Sequence, residues 1–200
     1  MIISIEGIDG AGKTTLAERL KMNNNAKIIK APRVGFLDQT RRFVDEHKNE
    51  TVARTIYYLA SVKHILDVNF INTLDKNNDN VIFDRYIYST LATNIALDEI
   101  YNKSNNIKII RDLIEIESAN LVNPDVFVFL YVDEIIRMQR LQFRNSTNIL
   151  DFDSVFAEKT QQIFRAIAGE LKRQNLKVIE VDTSKKSIEE VLKFVNQIYY

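Results

Sequence analysis

Four residues near the start of the chain, Gly7, Gly12, Lys13 and Thr14, fall at the spacing G-x-x-x-x-G-K-[ST]. That spacing describes a phosphate cradle. A turn that points its backbone N–H groups inward around a polyphosphate has no room for side chains there, and Gly7, Gly10 and Gly12 leave the amides bare. A helix starting near Lys13 adds the partial positive charge of its N-terminus. Lys13 is then placed to reach the β- and γ-phosphates, and the Thr14 hydroxyl to hold Mg²⁺. A purely structural glycine turn between a strand and a helix has no need of the Lys-Thr pair. The nucleotide-binding set read here is Gly7, Gly10, Ala11, Gly12, Lys13, Thr14 and Thr15.

A second group is Val81-Ile-Phe-Asp84-Arg85-Tyr86, followed by Ser89. An aspartate at the carboxyl end of a buried strand sits where open α/β sheets bind ligands. Asp84 can orient metal-bound water or the attacking phosphate, and Arg85 can fork onto a second phosphate group. The plainer reading is a strand-end ion pair. A third group is Arg137, Arg140 and Arg144, whose spacings of three and four place them on one helix face. A solvated basic stripe has the same spacing. Because the polar loop Asn145 to Asn148 follows, the stretch of about 137–152 is expected to be a lid that neutralises charge on a transferring phosphoryl group and excludes water.

The elements that must carry these groups follow from hydrophobic period. Strands are expected at Ile2 to Ile5, Lys27 to Lys30, Val81 to Asp84, Val126 to Val132 and Lys177 to Val181. Continuous runs such as VFVFLYV suit strands covered on both faces, so five strands separated by helices predict a parallel, doubly wound sheet. Helices are expected at about 13–21, 51–74, 90–97, 107–120, 134–144 and 153–174. A last one carries the stripe Ile188, Val191, Leu192, Val195, Ile198 and Tyr199, with Ser187 as its N-cap. Asn-rich patches at 23–25, 77–80 and 102–106 read as loops.

Composition narrows the classes further. The 200 residues, 46% hydrophobic, suffice for a single α/β domain over 1–200. Basic and acidic residues balance at 27 each, so no global field attracts nucleic acid or anionic membrane. There is no cysteine, which excludes disulfides, thiolate metal sites and thiol catalysis. The longest apolar run, Val126 to Val132, is far short of the ~20 residues a membrane span needs, and a cytoplasmic location is the default expectation. His47 and His64 lack acidic or cysteine neighbours at metal spacing and read as surface or packing residues.

With these motifs in view, the sequence resembles the thymidylate kinases among the nucleoside monophosphate kinases. IEGIDGAGKTT is similar to that family's phosphate loop and DRYIYST to its D-R-Y-x-x-S segment. Pro32 after the second strand, Pro124-Asp125 before the fourth, the Arg140 and Arg144 spacing and VDTSKKSIEEV extend the likeness over nearly the whole chain. The resemblance implies a P-loop fold with a five-stranded parallel sheet of order 2-3-1-4-5 and helices on both faces. It also implies transfer of the γ-phosphate of ATP, with Mg²⁺, to a deoxynucleoside monophosphate such as dTMP, in a homodimer. Lys13, Asp84, Arg85, Arg140 and Arg144 would carry catalysis, with Thr14 and Asp84 at the metal. Asp9 matches the acidic residue at the acceptor's 3′-hydroxyl. Gly10 stands where some members carry a catalytic arginine, so this chain resembles those that supply it from the lid.

The implied acceptor set is Asp9, Pro32, Tyr57, Ser61, Arg85, Ser89, Thr93 and Asn94, and it departs from the family. The aromatic that stacks on the base and the arginine four residues later have two registers here: Tyr57 with Ser61, or Leu59 with Lys63. By default the tyrosines of this helix are core and Lys63 is solvated. After D-R-Y-x-x-S the family usually continues A-Y-Q, whereas this chain has Ala92-Thr93-Asn94; the missing tyrosine normally crowds the sugar's 2′ position. Lys30-Ala31-Pro32-Arg33 lacks the acidic residue often beside that proline. Alternatives are a kinase of the same fold acting on another nucleotide or a nucleoside, and a P-loop protein without kinase activity. A GTP switch needs a guanine-reading Asn-Lys-x-Asp segment, and Asn102-Lys103-Ser104-Asn105 lacks the aspartate.

Overall fold

The computed structural model describes residues 1–30, 38–69, 80–146 and 149–199. Pro32 and Arg33 lie outside the described residues. The chain runs β1 (Ile2–Gly7), α1 (Lys13–Asn24), β2 (Lys27–Lys30), α2 (Asp38–Glu46), α3 (Thr51–Asn69), β3 (Val81–Asp84), α4 (Ile87–Tyr101), α5 (Ile107–Ser118), β4 (Val126–Tyr131), α6 (Glu134–Phe143), a short 3₁₀ helix (Ile149–Phe152), α7 (Ser154–Arg173), β5 (Val178–Asp182) and α8 (Ile188–Tyr199). The strands form one parallel sheet of order β2-β3-β1-β4-β5. Every residue of β1, β3 and β4 is buried, as runs covered by helices on both faces must be. β1 lies between β3 and β4, pairing Ile5 with Asp84 and Gly7 with Leu130. The carboxyl ends of these three strands therefore open on one crevice, where such sheets bind ligands.

The pattern-based expectations agree for the sheet and the later helices, and local chemistry accounts for the differences. Asn23 and Asn24 belong to the end of α1, and the chain leaves the helix at Asn25, which takes the left-handed conformation at φ 48 that asparagine tolerates. α2 went unanticipated because DQTRRFVDE contains only two apolar residues, Phe43 and Val44; Arg41–Asp45 and Arg42–Glu46 pairs one turn apart support it. α4 begins at Ile87, earlier than expected, because the buried Glu6 catches the Tyr86 amide just ahead of it. At α8 the expected cap is present: Glu190 N–H donates to Ser187 Oγ at 3.2 Å while Ser187 N–H donates to the Glu190 carboxylate at 2.7 Å.

One buried carboxylate organises the helices beside the crevice. Asp98, near the end of α4, accepts from Thr51 Oγ1 at the start of α3 (2.8 Å), from Asn102 Nδ2 (2.9 Å), and from the amide and side chain of Asn106 ahead of α5 (2.8 and 2.9 Å). These bonds outweigh its burial and hold the Asp98 carboxyl below its ordinary range.

Candidate active site

β1 delivers the chain into the glycine turn, and α1 starts directly after Gly12, which lies at φ 95 where an L side chain would be strained. At Gly10 space is limiting too: a Cβ there would stand 2.8 Å from Arg137 Cγ. Lys13 is buried, with Nζ donating to Ile8 O at 2.8 Å and 3.7 Å from Asp9. Burial, and then the neighbouring Arg85 charge, push its pKa down to about 8, against the pull of Asp9, Asp84 and Glu6. Thr14 Oγ1 donates to Asp84 Oδ2 at 2.7 Å, and Lys30 lies 3.8 Å from the same carboxylate. The two motifs separated in sequence thus meet at one point.

The turn after β3 is held in a special conformation. Arg85 sits at φ 73, unusual for a non-glycine residue. Its Nη2 donates to Asp9 Oδ1 at 2.6 Å and Nη1 to Gly7 O at 3.2 Å, with Ser89 Oγ at 3.5 Å. Burial favours the neutral form of Asp9, but the Arg85 and Lys13 charges outweigh it and hold the carboxyl well below its usual range. Glu6 fastens the turn from beneath: it accepts from Ser4 Oγ (2.9 Å), the Tyr86 amide (3.1 Å) and Ser89 Oγ. Sequence reasoning gave Glu6 no role, although a carboxylate inside an all-buried strand was the available signal. Burial pushes its pKa up to about 6.

Two cavities flank this centre. On one side of the phosphate loop a cleft of about 550 Å³ is lined by Gly12, Thr15, Arg140, Phe143, Arg144 and Thr183 among others. On the other a pocket of about 130 Å³ runs from Asp9, Arg85, Ser89 and Thr93 to Arg54 and Tyr58. Ser89 and Thr93 both line this pocket, one turn apart on α4. Asn94 does not: it is fully buried behind them, its amide donating to Thr90 O at 3.0 Å and its Oδ1 left without a partner.

The expected base-reading pairs need a correction. Neither Tyr57 with Ser61 nor Leu59 with Lys63 lines the pocket; the helix turns Arg54, Tyr58 and Val62 toward it, four residues apart along one face. Tyr57 packs edge-on against Tyr58 at 5.1 Å, Ser61 is buried, and Lys63 lies 3.6 Å from Glu117. Arg54 is only 2% exposed; its Nη2 is 3.4 Å from Asp45, to which Tyr58 also donates, and its Nε has no partner. Arg54 and Tyr58 were missed because helical spacing cannot choose a face when Tyr57 and Tyr58 adjoin.

The three arginines of α6 also separate. Arg137 is 1% exposed and bound to Glu134 and to Asp151 O. Arg140 donates to Gly10 O (3.1 Å), Thr183 Oγ1 (3.0 Å) and Thr183 O (2.8 Å), and burial lowers its pKa. Arg144, at the C-cap of α6, is exposed, and its charge acts on both Asp9 and Asp151. They do not share a free face, because Arg137 turns into the protein.

A buried lysine at a helix N-terminus, a hydroxyl–carboxylate pair beside it and an arginine–aspartate pair across it can bind polyphosphate on one side and a phosphorylated acceptor on the other. The family model described as thymidylate kinase matches residues 5–195. The chain belongs to the thymidylate kinase family. A probable thymidylate kinase of Methanococcus vannielii is 31% identical over 200 residues, covering 94% of this chain and 90% of the relative. A thymidylate kinase of Francisella tularensis is 28% identical over 214 residues, covering 98% and 92%. Among solved structures, the thymidylate kinase of Candida albicans superposes with a TM-score of 0.74 at 24% identity, covering 98% of this chain and 89% of that one. The deoxyadenosine kinase of M. mycoides with bound dATP gives 0.73 at 19%, each chain covered completely at 100%. These neighbours share the P-loop fold, with the sheet order found in this thymidylate kinase family member.

Proposed function

We propose that this protein phosphorylates a deoxynucleoside monophosphate with ATP, dTMP foremost, releasing ADP and dTDP. The observation that carries the reading is that two cavities adjoin the phosphate loop, one lined by Gly10, Ala11, Gly12 and Thr15 and the other by Asp9 and Arg85, with the Lys13 ammonium 3.7 Å from Asp9. The larger cleft suits the donor, whose phosphates would lie on Gly10, Ala11, Gly12, Thr14 and Thr15 at the start of α1. The smaller suits the acceptor, whose phosphate would lie at Arg85 and whose sugar would meet Asp9, Ser89 and Thr93. An acceptor phosphate oxygen attacks the γ-phosphorus, the bond to the ADP oxygen breaks, and Lys13 steadies the negative charge moving onto the leaving group. Arg144, reaching from the lid, neutralises charge on the group in transfer. Thr14 and Asp84, hard oxygen donors 2.7 Å apart, fit Mg²⁺, which would screen the donor phosphates when bound. The names of the relatives support thymine as the base.

Among the described residues no helix is long and apolar enough to cross a membrane. A homodimer is expected from the family resemblance. ADP release, measured over a panel of nucleoside monophosphates and free nucleosides, tests the reading. Highest kcat/KM with dTMP is expected; turnover of nucleosides alone, or none with any acceptor, would overturn it.

A further inference from the structure

Arg137 has no task in the proposed reaction and, unlike Arg140 and Arg144, does not line the larger cleft. At 1% exposure its guanidinium must have its donors met, or an unpaired buried charge would weigh heavily against the fold. Nε and Nη2 make a two-point pair with Glu134, at 2.6 and 2.8 Å. Glu134 lies one turn earlier on the same helix, so that pair joins nothing distant. Nη1 does: it donates to the backbone carbonyl of Asp151 at 2.6 Å, in the 3₁₀ helix beyond the lid loop. The stem and backbone of Arg137 also lie close beside the phosphate loop, since a Cβ on Gly10 would begin 2.8 Å from Arg137 Cγ and 3.2 Å from Arg137 O. Arg137 thus fills the space beside the phosphate loop and reaches past it.

What it reaches is the wall of the acceptor pocket. Leu150 and Asp151 both line that pocket. A smaller cavity of about 40 Å³ lies between wall and loop, bordered by Gly7, Asp9, Arg85, Arg137, Leu150 and Asp151. Ser146 Oγ donates to the Asp151 carboxylate, so this residue is held by its side chain as well as its carbonyl. We propose that Arg137 is a positioning residue that fastens the Ile149–Phe152 segment against the phosphate loop and so sets one wall of the acceptor pocket. It touches neither nucleotide. The proposal rests on the kinase reading for the identity of the pocket.

The tests are Arg137→Lys, Arg137→Met and Glu134→Ala. Lysine keeps the charge but offers its donors from one point and cannot serve Glu134 and Asp151 O together. Glu134 is 40% exposed on its side chain, so Glu134→Ala keeps a folded protein available if the Arg137 variants do not fold. The expected result is a KM for dTMP raised about tenfold, the loss of roughly one charge-assisted hydrogen bond, with the KM for ATP nearly unchanged. Glu134→Ala should move the same constant less. Calorimetric binding of dTMP without ATP should weaken in parallel. Folded variants with wild-type dTMP affinity, or with both KM values raised equally, would overturn the proposal. A wild type that binds dTMP without turning it over would count against the reaction and leave the binding comparison to decide on Arg137.

Discussion

Arg85 Nη2 lies 2.6 Å from Asp9 Oδ1, and Lys13 Nζ lies 3.7 Å from the same oxygen. One carboxylate from the glycine turn therefore aims two cations that the sequence keeps 72 positions apart, from 13 to 85. Because those cations hold Asp9 well below the usual carboxylate range, it stays an acceptor throughout the neutral and mildly acidic range. A sugar hydroxyl would meet it in one protonation state only.

Lys13→Ala should fold normally and lower kcat by about a hundredfold or more, since no other side chain of the loop can place charge at the leaving group. Steady-state rates at saturating ATP and acceptor check this. Turnover near that of wild type would remove Lys13 from the chemistry.

Arg140 and Arg144 should part company kinetically. Arg140 is spent on Gly10 O and the two oxygens of Thr183, so Arg140→Ala is expected to raise the KM for ATP by loosening the loop. Arg144 is free to follow the phosphoryl group, and Arg144→Ala should lower kcat by roughly ten- to a hundredfold with little change in KM. Equal effects of the two substitutions on both constants would contradict this division.

Glu6 supplies a pH dependence with a definite sign. Its pKa is raised by burial from 4.5 to about 6, so the folded state favours the protonated form. Relative to Glu6→Gln, wild-type stability should be greatest below pH 4.5 and fall by about 2 kcal/mol as pH rises past 6. Activity should run the other way, because only the carboxylate accepts from Ser4, the Tyr86 amide and Ser89 together. Denaturant unfolding and kcat/KM across this range, for both proteins, give the two curves. A Glu6→Gln profile identical to wild type would refute the assignment.

Thr93 borders the pocket proposed for the acceptor, beside Asp9 and Arg85, and it is far smaller than the tyrosine of the resembled pattern. The bar against a ribose 2′-hydroxyl should be weak, and Thr93→Tyr should raise deoxyribose preference by roughly ten- to a hundredfold in kcat/KM. Matched ribo- and deoxyribonucleotide acceptors measure it. A wild type that rejects the ribonucleotide by more than about a thousandfold, unchanged by the tyrosine, would place the guard elsewhere.

The legible parts of this molecule were those whose chemistry demands fixed local spacing. The glycine turn and the Asp84-Arg85 turn were readable as structure because both sit within a few residues of a strand end, and the sheet because its central strands are mostly apolar. The acceptor pocket was less so. Arg54 approaches it from α3 through contacts with Asp45 on α2, an element whose mostly charged and polar sequence has few apolar residues to announce it. Arg137 was read with its neighbours at positions three and seven residues on, yet burial by Gly10 and Asp151 is a tertiary fact that helical spacing does not contain.

Asp98 has a mechanical consequence. It ties the first residue of α3 to the end of α4, while Arg54 and Tyr58 on α3 face Ser89 and Thr93 on α4 across the pocket. The two helices are thus the arms of tweezers pinned at one end, and a change in the angle between them would widen the pocket on the side they line. Because Glu6 fixes the start of α4 through the Tyr86 amide and Ser89, such a change would be taken up by α3.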